Sequence, residues 1–214
     1  MTLAAEATAA EASDTEAAGP VGQRLVAWVL TLGGAIGFLA AFTLTVEKIA
    51  LLKDASYSPS CSINPVLSCG SVMKTPQAEV FGFPNPLLGI AGFAVVTTIG
   101  VVLLTGAVLP RWCWWSLQAG VVSGVVFVHW LIFQSLYRIG ALCPYCMVVW
   151  TVMMPVFWYT TLHTITGGHM PVPARMRRGA SMVADYHGVV LTCWYLIITV
   201  LILERFWLYW TTLV

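Results

Sequence analysis

Charged residues divide the chain unevenly and leave five long apolar windows free of Asp, Glu, Lys and Arg, at 25–46, 80–110, 112–137, 139–174 and 186–203. A bilayer core of about 30 Å is crossed by roughly 20 helical residues, so each window predicts a spanning helix. The expected helices run from Leu25 to Val46, Pro86 to Val108, Trp112 to Tyr137, Pro144 to Leu162 and Gly188 to Leu208, the last continuing past Glu204 and Arg205. A sixth uncharged window, 55–73, is broken by serines with Pro59, Asn64 and Pro65 and reads as an ordered loop. Gly33, Gly34 and Gly37 mark a face of the first helix where a neighbour can approach closely. No internal repeat appears, which speaks against an inverted-repeat transporter.

Composition agrees with the pattern. Of 214 residues, 59% are hydrophobic and 9% charged, against about a quarter charged in soluble domains, so the chain is read as an all-α membrane protein. The net charge of +1 offers no basic field for nucleic acid. Residues 1–23 form an alanine-rich acidic tail, expected to be disordered and unlike a secretory signal. Five spans place Arg24, Arg111, Arg175, Arg177 and Arg178 on one side, and Lys48, Lys53, Lys74, Arg138 and Arg205 on the other. The tie is broken by the density of Arg175, Arg177 and Arg178, which puts the basic loop 165–187 and the amino terminus in the cytoplasm of a multi-pass plasma-membrane (inner-membrane) protein.

Alternation of the spans then brings the loop 47–85 and the short loop before Pro144 to the outer side, and with them Cys61, Cys69, Cys143 and Cys146. Cys113 and Cys193 fall near the opposite ends of their helices and read as small apolar fillers. Cys143 and Cys146 form a C-x-x-C motif with Pro144 at a favourable first helical position. Cys143 is expected at the N-cap, where free N–H groups favour its thiolate, with Cys146 one turn deeper toward the lipid. A static disulfide or half of a zinc site remains as the alternative, although seven residues between Cys61 and Cys69 suit zinc poorly, and no metal is expected. Cys61 and Cys69 lie in a loop able to exchange with an outside thiol and reach Cys143, or else serve as a loop staple.

These segments resemble bacterial homologues of vitamin K epoxide reductase. The resemblance rests on the run from Cys61 to Ser71, the run from Glu79 to Gly89, and Cys143 to Cys146, in that order. It implies a four-transmembrane-helix bundle around a quinone pocket, residues 24–164, capped by the loop 47–85, with a fifth transmembrane helix in 188–214 outside it. It further implies that Cys61 and Cys69 exchange with a partner, that Cys69 passes electrons to Cys143, and that Cys146 reduces the quinone. Asn85 corresponds to a pocket asparagine that hydrogen-bonds the quinone; it is equally placed to be an N-cap before Pro86. Trp150 stands where vertebrate members have an aromatic hydroxyl, leaving the second polar contact to the quinone open. Thr75 replaces a family serine and Met73 an aromatic. The chain ends soon after its fifth span, so it resembles the unfused form, without a thioredoxin-like domain.

The resulting expectation is a thiol:quinone oxidoreductase. It reoxidises an extracytoplasmic thioredoxin-fold (DsbA-like) protein and passes the electrons to menaquinone or ubiquinone in the membrane, supporting disulfide formation. Thiol-driven reduction of vitamin K quinone or its epoxide, and a membrane scaffold stiffened by disulfides, are the alternatives. His129 is read as a hydrogen-bonded core histidine rather than a proton route, and His163, His169, His187, Glu79 and Asp54 as solvated.

Overall fold

The computed structural model describes residues 22–54 and 56–211; the amino-terminal tail expected to be disordered lies almost wholly outside them. The elements are α1 (Gln23–Lys53), α2 (Cys69–Met73), a 3-10 turn (Pro76–Ala78), α3 (Pro86–Leu104), α4 (Arg111–Phe133) continued by a π turn (Gln134–Ile139), α5 (Pro144–Thr166), α6 (Ala174–Asp185), α7 (His187–Arg205) and α8 (Trp207–Thr211). Five of these, α1, α3, α4 with its π turn, α5 and α7, are long and apolar enough to cross a membrane. The protein is an all-helical membrane bundle, and no strand occurs among the described residues.

α1 packs against α3 and α5, and α5 against α4. Glycine makes the first contact possible. A Cβ on Gly34 would lie 2.8 Å from the Thr97 backbone nitrogen, and one on Gly100 would lie 2.5 Å from that of Thr31. The two backbones therefore touch where any side chain would separate them. The outward faces keep exposed side chains such as Leu32, Leu39, Val95, Val126 and Val200, which suits a lipid solvent.

α1 runs seven residues beyond the expected Val46, because Glu47 and Lys48 are buried with polar partners instead of ending the helix. α3 stops earlier than expected, closed by Gly106 at φ 83°. The segment read as a basic loop contains α6. Pro155 lies inside α5, and its missing N–H leaves the Thr151 carbonyl without a helical partner. The Tyr195 hydroxyl of α7 donates to that carbonyl at 2.7 Å. Two more bonds dock α7: Arg205 Nε to the Leu136 carbonyl in the π turn at 2.8 Å, and Trp194 Nε1 to His129 Nε2 at 2.9 Å.

Because the other His129 nitrogen faces the Val125 carbonyl at 2.8 Å, both ring nitrogens are committed and the histidine serves to pin α7. His163 and His169 are half-buried rather than fully solvated. Both rings lie against the buried Trp114, at 4.6 and 5.1 Å between centroids, and the His169 carbonyl accepts from Trp115 Nε1. His187 is half-buried, bonded to the Ala184 carbonyl.

Candidate functional site

The loop between α1 and α3 folds into a cap held at three levels. Asn64 Oδ1 accepts from the amides of Val66 and Leu67, closing a tight turn in the run between Cys61 and Cys69. That run is then stitched to the residues before α5: Ser68 N donates to the Leu142 carbonyl at 2.8 Å, and Leu142 N to the Val66 carbonyl at 2.7 Å. Glu47, buried at the end of α1, accepts from the Tyr57 hydroxyl and from Ser60 Oγ and N. Accepting the phenolic hydrogen bond keeps Tyr57 protonated and pushes its pKa above the usual range.

The stitching joins residues 74 apart in sequence. Cys61 and Cys69 form a disulfide, and Cys143 Sγ lies 3.1 Å from Cys69 Sγ. The sulfurs of Cys61, Cys69 and Cys143 all fall within 4.8 Å of one another. Cys61 is 5% exposed, Cys69 fully buried and Cys143 1% exposed, packed with Leu44, Leu51 and Met73. Cys143 is the N-cap of α5 with extended backbone, as the position of Pro144 suggests. Its pKa is lowered, first by a hydrogen bond from the Cys146 thiol and then by the facing amides of Cys146 and Tyr145, against the opposing effect of burial. These amides fall short of a regular cap hydrogen bond, and their favourable field at the helix start remains. Thiolate at Cys143 beside a disulfide sulfur is the arrangement that thiol–disulfide exchange requires.

Below the cap is a cavity of about 740 Å³, walled by α1, α3, α4, α5 and the cap and almost entirely apolar. Cys143, Cys146, Asn85 and Trp150 all line it. Asn85 does not cap α3 through its side chain. Instead its Nδ2 donates to the Gln77 carbonyl at 2.7 Å, and its Oδ1 accepts from Val80 N at 3.1 Å, leaving one N–H uncommitted. Trp150 is 3% exposed, and its indole N–H has no hydrogen-bond partner among the described residues.

Thr75 is placed differently from the expectation for a pocket ligand. It is not part of the cavity wall, and its hydroxyl donates to the Val72 carbonyl at 2.7 Å, a turn-forming role. Cys113 lines the far end of the cavity, whereas Cys193 is exposed on α7. Glu79 is not simply solvated: it pairs with Lys48 at 2.8 Å. Sequence reasoning passed over Lys48 and Glu47, whose signal was a pair of charges one turn before the end of an apolar helix. It also passed over Leu142, whose contribution is made by its backbone and leaves no mark in the sequence.

A disulfide in contact with a buried thiol, set over an apolar cavity between membrane helices, defines an integral membrane thiol oxidoreductase. The chain belongs to the vitamin K epoxide reductase family, whose sequence pattern matches residues 28–161. Membership makes it a thiol-dependent oxidoreductase of the quinone and quinone-epoxide class. Among curated proteins none matches the chain.

Proposed function

We propose that the chain takes electrons from an extracytoplasmic thioredoxin-fold (DsbA-like) protein and delivers them to a membrane quinone, so that the partner can go on forming disulfides. The observation that carries this reading is the 3.1 Å approach of Cys143 to Cys69 directly above the cavity that Cys143 and Cys146 line. The partner's thiolate attacks the Cys61–Cys69 disulfide, entering at Cys61, the less buried of the two. Reduced Cys69 then attacks Cys143 of a Cys143–Cys146 disulfide and is itself returned to the Cys61–Cys69 bond. Each exchange breaks one S–S bond and forms another, moving two electrons inward. Cys143 and Cys146, left reduced, close to a disulfide again as they give up those electrons.

The cavity suits a quinone ring on the chemistry of its walls. It is apolar, and two residues of its wall keep an N–H in want of an acceptor, Asn85 through its second amide hydrogen and Trp150 through an indole N–H buried within the bundle. A quinone supplies a two-electron acceptor with a carbonyl oxygen for each donor. Trp150 and Asn85 orient the ring, the surrounding aliphatic side chains exclude water, and Cys146 is the sulfur set deeper in the wall. The amino terminus and α6 face the cytoplasm in this reading, with Arg175, Arg177 and Arg178 retained there.

The test is an assay of purified protein in detergent, supplied with a reduced thioredoxin-fold protein and either menaquinone or ubiquinone, following quinone absorbance. Wild type consumes oxidised quinone, and Cys146→Ala does not, while still trapping the partner through Cys61 or Cys69. If wild type leaves both quinones oxidised but converts a quinone epoxide, the direction proposed here is wrong.

A further inference from the structure

Lys48 and Glu79 take no part in the cysteine relay, yet Lys48 is a charge in a place that disfavours charge. It lies between Leu44 and Leu51 on the α1 face that packs on Cys61, Cys69 and Cys143, is 7% exposed, and lines the cavity. A charged side chain at such a site needs partners, and one facing a cavity is a candidate for function. Its Nζ donates to the Met73 carbonyl at 2.7 Å and pairs with Glu79 Oε1 at 2.8 Å, which accounts for two of its three N–H donors. The third has no partner among the described residues. Glu79, at 38% side-chain exposure, reaches water. The next residue, Val80, donates to Asn85, so Lys48 and Asn85 grip the same turn, residues 77–80, at the cap end of the cavity.

Building on the thiol:quinone reading above, we propose that Lys48 is a further catalytic residue, whose uncommitted N–H contacts an oxygen of the quinone and passes it a proton that Glu79 replaces from outside water. The balance closes without another reagent. Closing the Cys143–Cys146 disulfide releases two electrons and two protons, and the quinone leaves as quinol, having gained both. The proton of Cys146 is handed over directly. The proton of Cys143, lost to water when its thiolate formed, is returned through Glu79 and Lys48. A buried site that consumes protons needs a proton-carrying side chain within reach of both water and substrate, and positioned acid–base groups of this kind contribute about a hundredfold or more to rate.

The test compares wild type with Lys48→Arg, Lys48→Met and Glu79→Gln as full-length chains in detergent. Arginine keeps the cation and its pairing but does not release a proton. Dithiothreitol serves as the electron source and a short-tailed menaquinone as acceptor. Reduction of Cys61–Cys69 by dithiothreitol without quinone, quenching of tryptophan emission by the menaquinone, and quinol formation in H2O and in D2O are read separately. Lys48→Arg is expected to match wild type within about twofold in the first two and to lose at least about tenfold in quinol formation, with Lys48→Met no better. Glu79→Gln is expected to slow quinol formation severalfold and enlarge the solvent isotope effect. Wild-type quinol formation by Lys48→Arg overturns the proposal, because charge alone then suffices. So does an equal loss of disulfide reduction and quinol formation in that variant, the mark of a loop-holding role. A wild-type protein that forms no quinol at all brings down the thiol:quinone reading itself, a result visible before any variant is compared.

Discussion

The Trp150 indole N–H, buried inside the bundle without an acceptor, carries a cost of about 1–3 kcal/mol, and in the proposed function a quinone oxygen would relieve it. Trp150→Phe keeps an aromatic wall and deletes the donor. The expected outcome is a quinone KM raised by about tenfold, with reduction of the Cys61–Cys69 disulfide unchanged; an unaltered KM removes Trp150 from quinone recognition. Glu47 acts beside the Cys61–Cys69 disulfide, where its carboxylate holds Tyr57 and Ser60 next to Cys61. Hydrogen bonds to a charged group are worth about 1.5–3 kcal/mol. Glu47→Ala is therefore expected to loosen this part of the cap and speed alkylation of reduced Cys61 by an impermeant reagent, while leaving Cys193 labelling as it was. Equal labelling rates at Cys61 in both proteins contradict the anchoring role.

Among the elements, α1 and α3 are joined by backbone contact and α7 by polar contacts, so they respond to different substitutions. Gly34→Val places branched carbons against the Thr97 backbone, which cannot swing aside. Overpacking of this kind costs about 1–3 kcal/mol, and thermal unfolding in detergent is expected at a clearly lower temperature than for Gly92→Val, at a glycine with open space around its Cβ position. The five spans themselves were legible as runs of apolar residues, because a bilayer leaves the chain no other way to satisfy its backbone. Their ends were less legible. Charge ended α1 too early in the sequence reading, since nothing local reveals that Lys48 will find Met73 and Glu79 across the cap. The docking of α7 on the carbonyl freed by Pro155 was hidden for a similar reason: the proline is visible, but its beneficiary, Tyr195, lies 40 positions later in another helix.

Across the whole molecule, the paired cysteines are gathered at the cap, whereas the opposite end is held by aromatic contacts of Trp114, tilted against His163 and stacked on His169. Burial, with Arg111 adding to it, pulls the His169 pKa below its ordinary 6.5. The unfolded chain then takes up the proton first, so stability is fully present above about pH 6.5 and declines as pH falls through the window between that value and the lowered one. His169→Phe preserves the stack and is expected to flatten the dependence of unfolding temperature on pH between neutrality and pH 5. The grouping of four cysteines on one side could be inferred from helix alternation, and their motifs pointed to redox exchange. The particular contact could not, because it depends on the backbone stitching of Val66 and Ser68 to Leu142. The proposed electron path runs through that contact between Cys69 and Cys143. Its most direct test is a Cys61→Ser, Cys146→Ala double variant, oxidised mildly and digested without reduction for mass spectrometry. A peptide linked through Cys69 and Cys143 is predicted; free thiols at both positions, or their pairing with Cys113 or Cys193 instead, would contradict the proposed electron path.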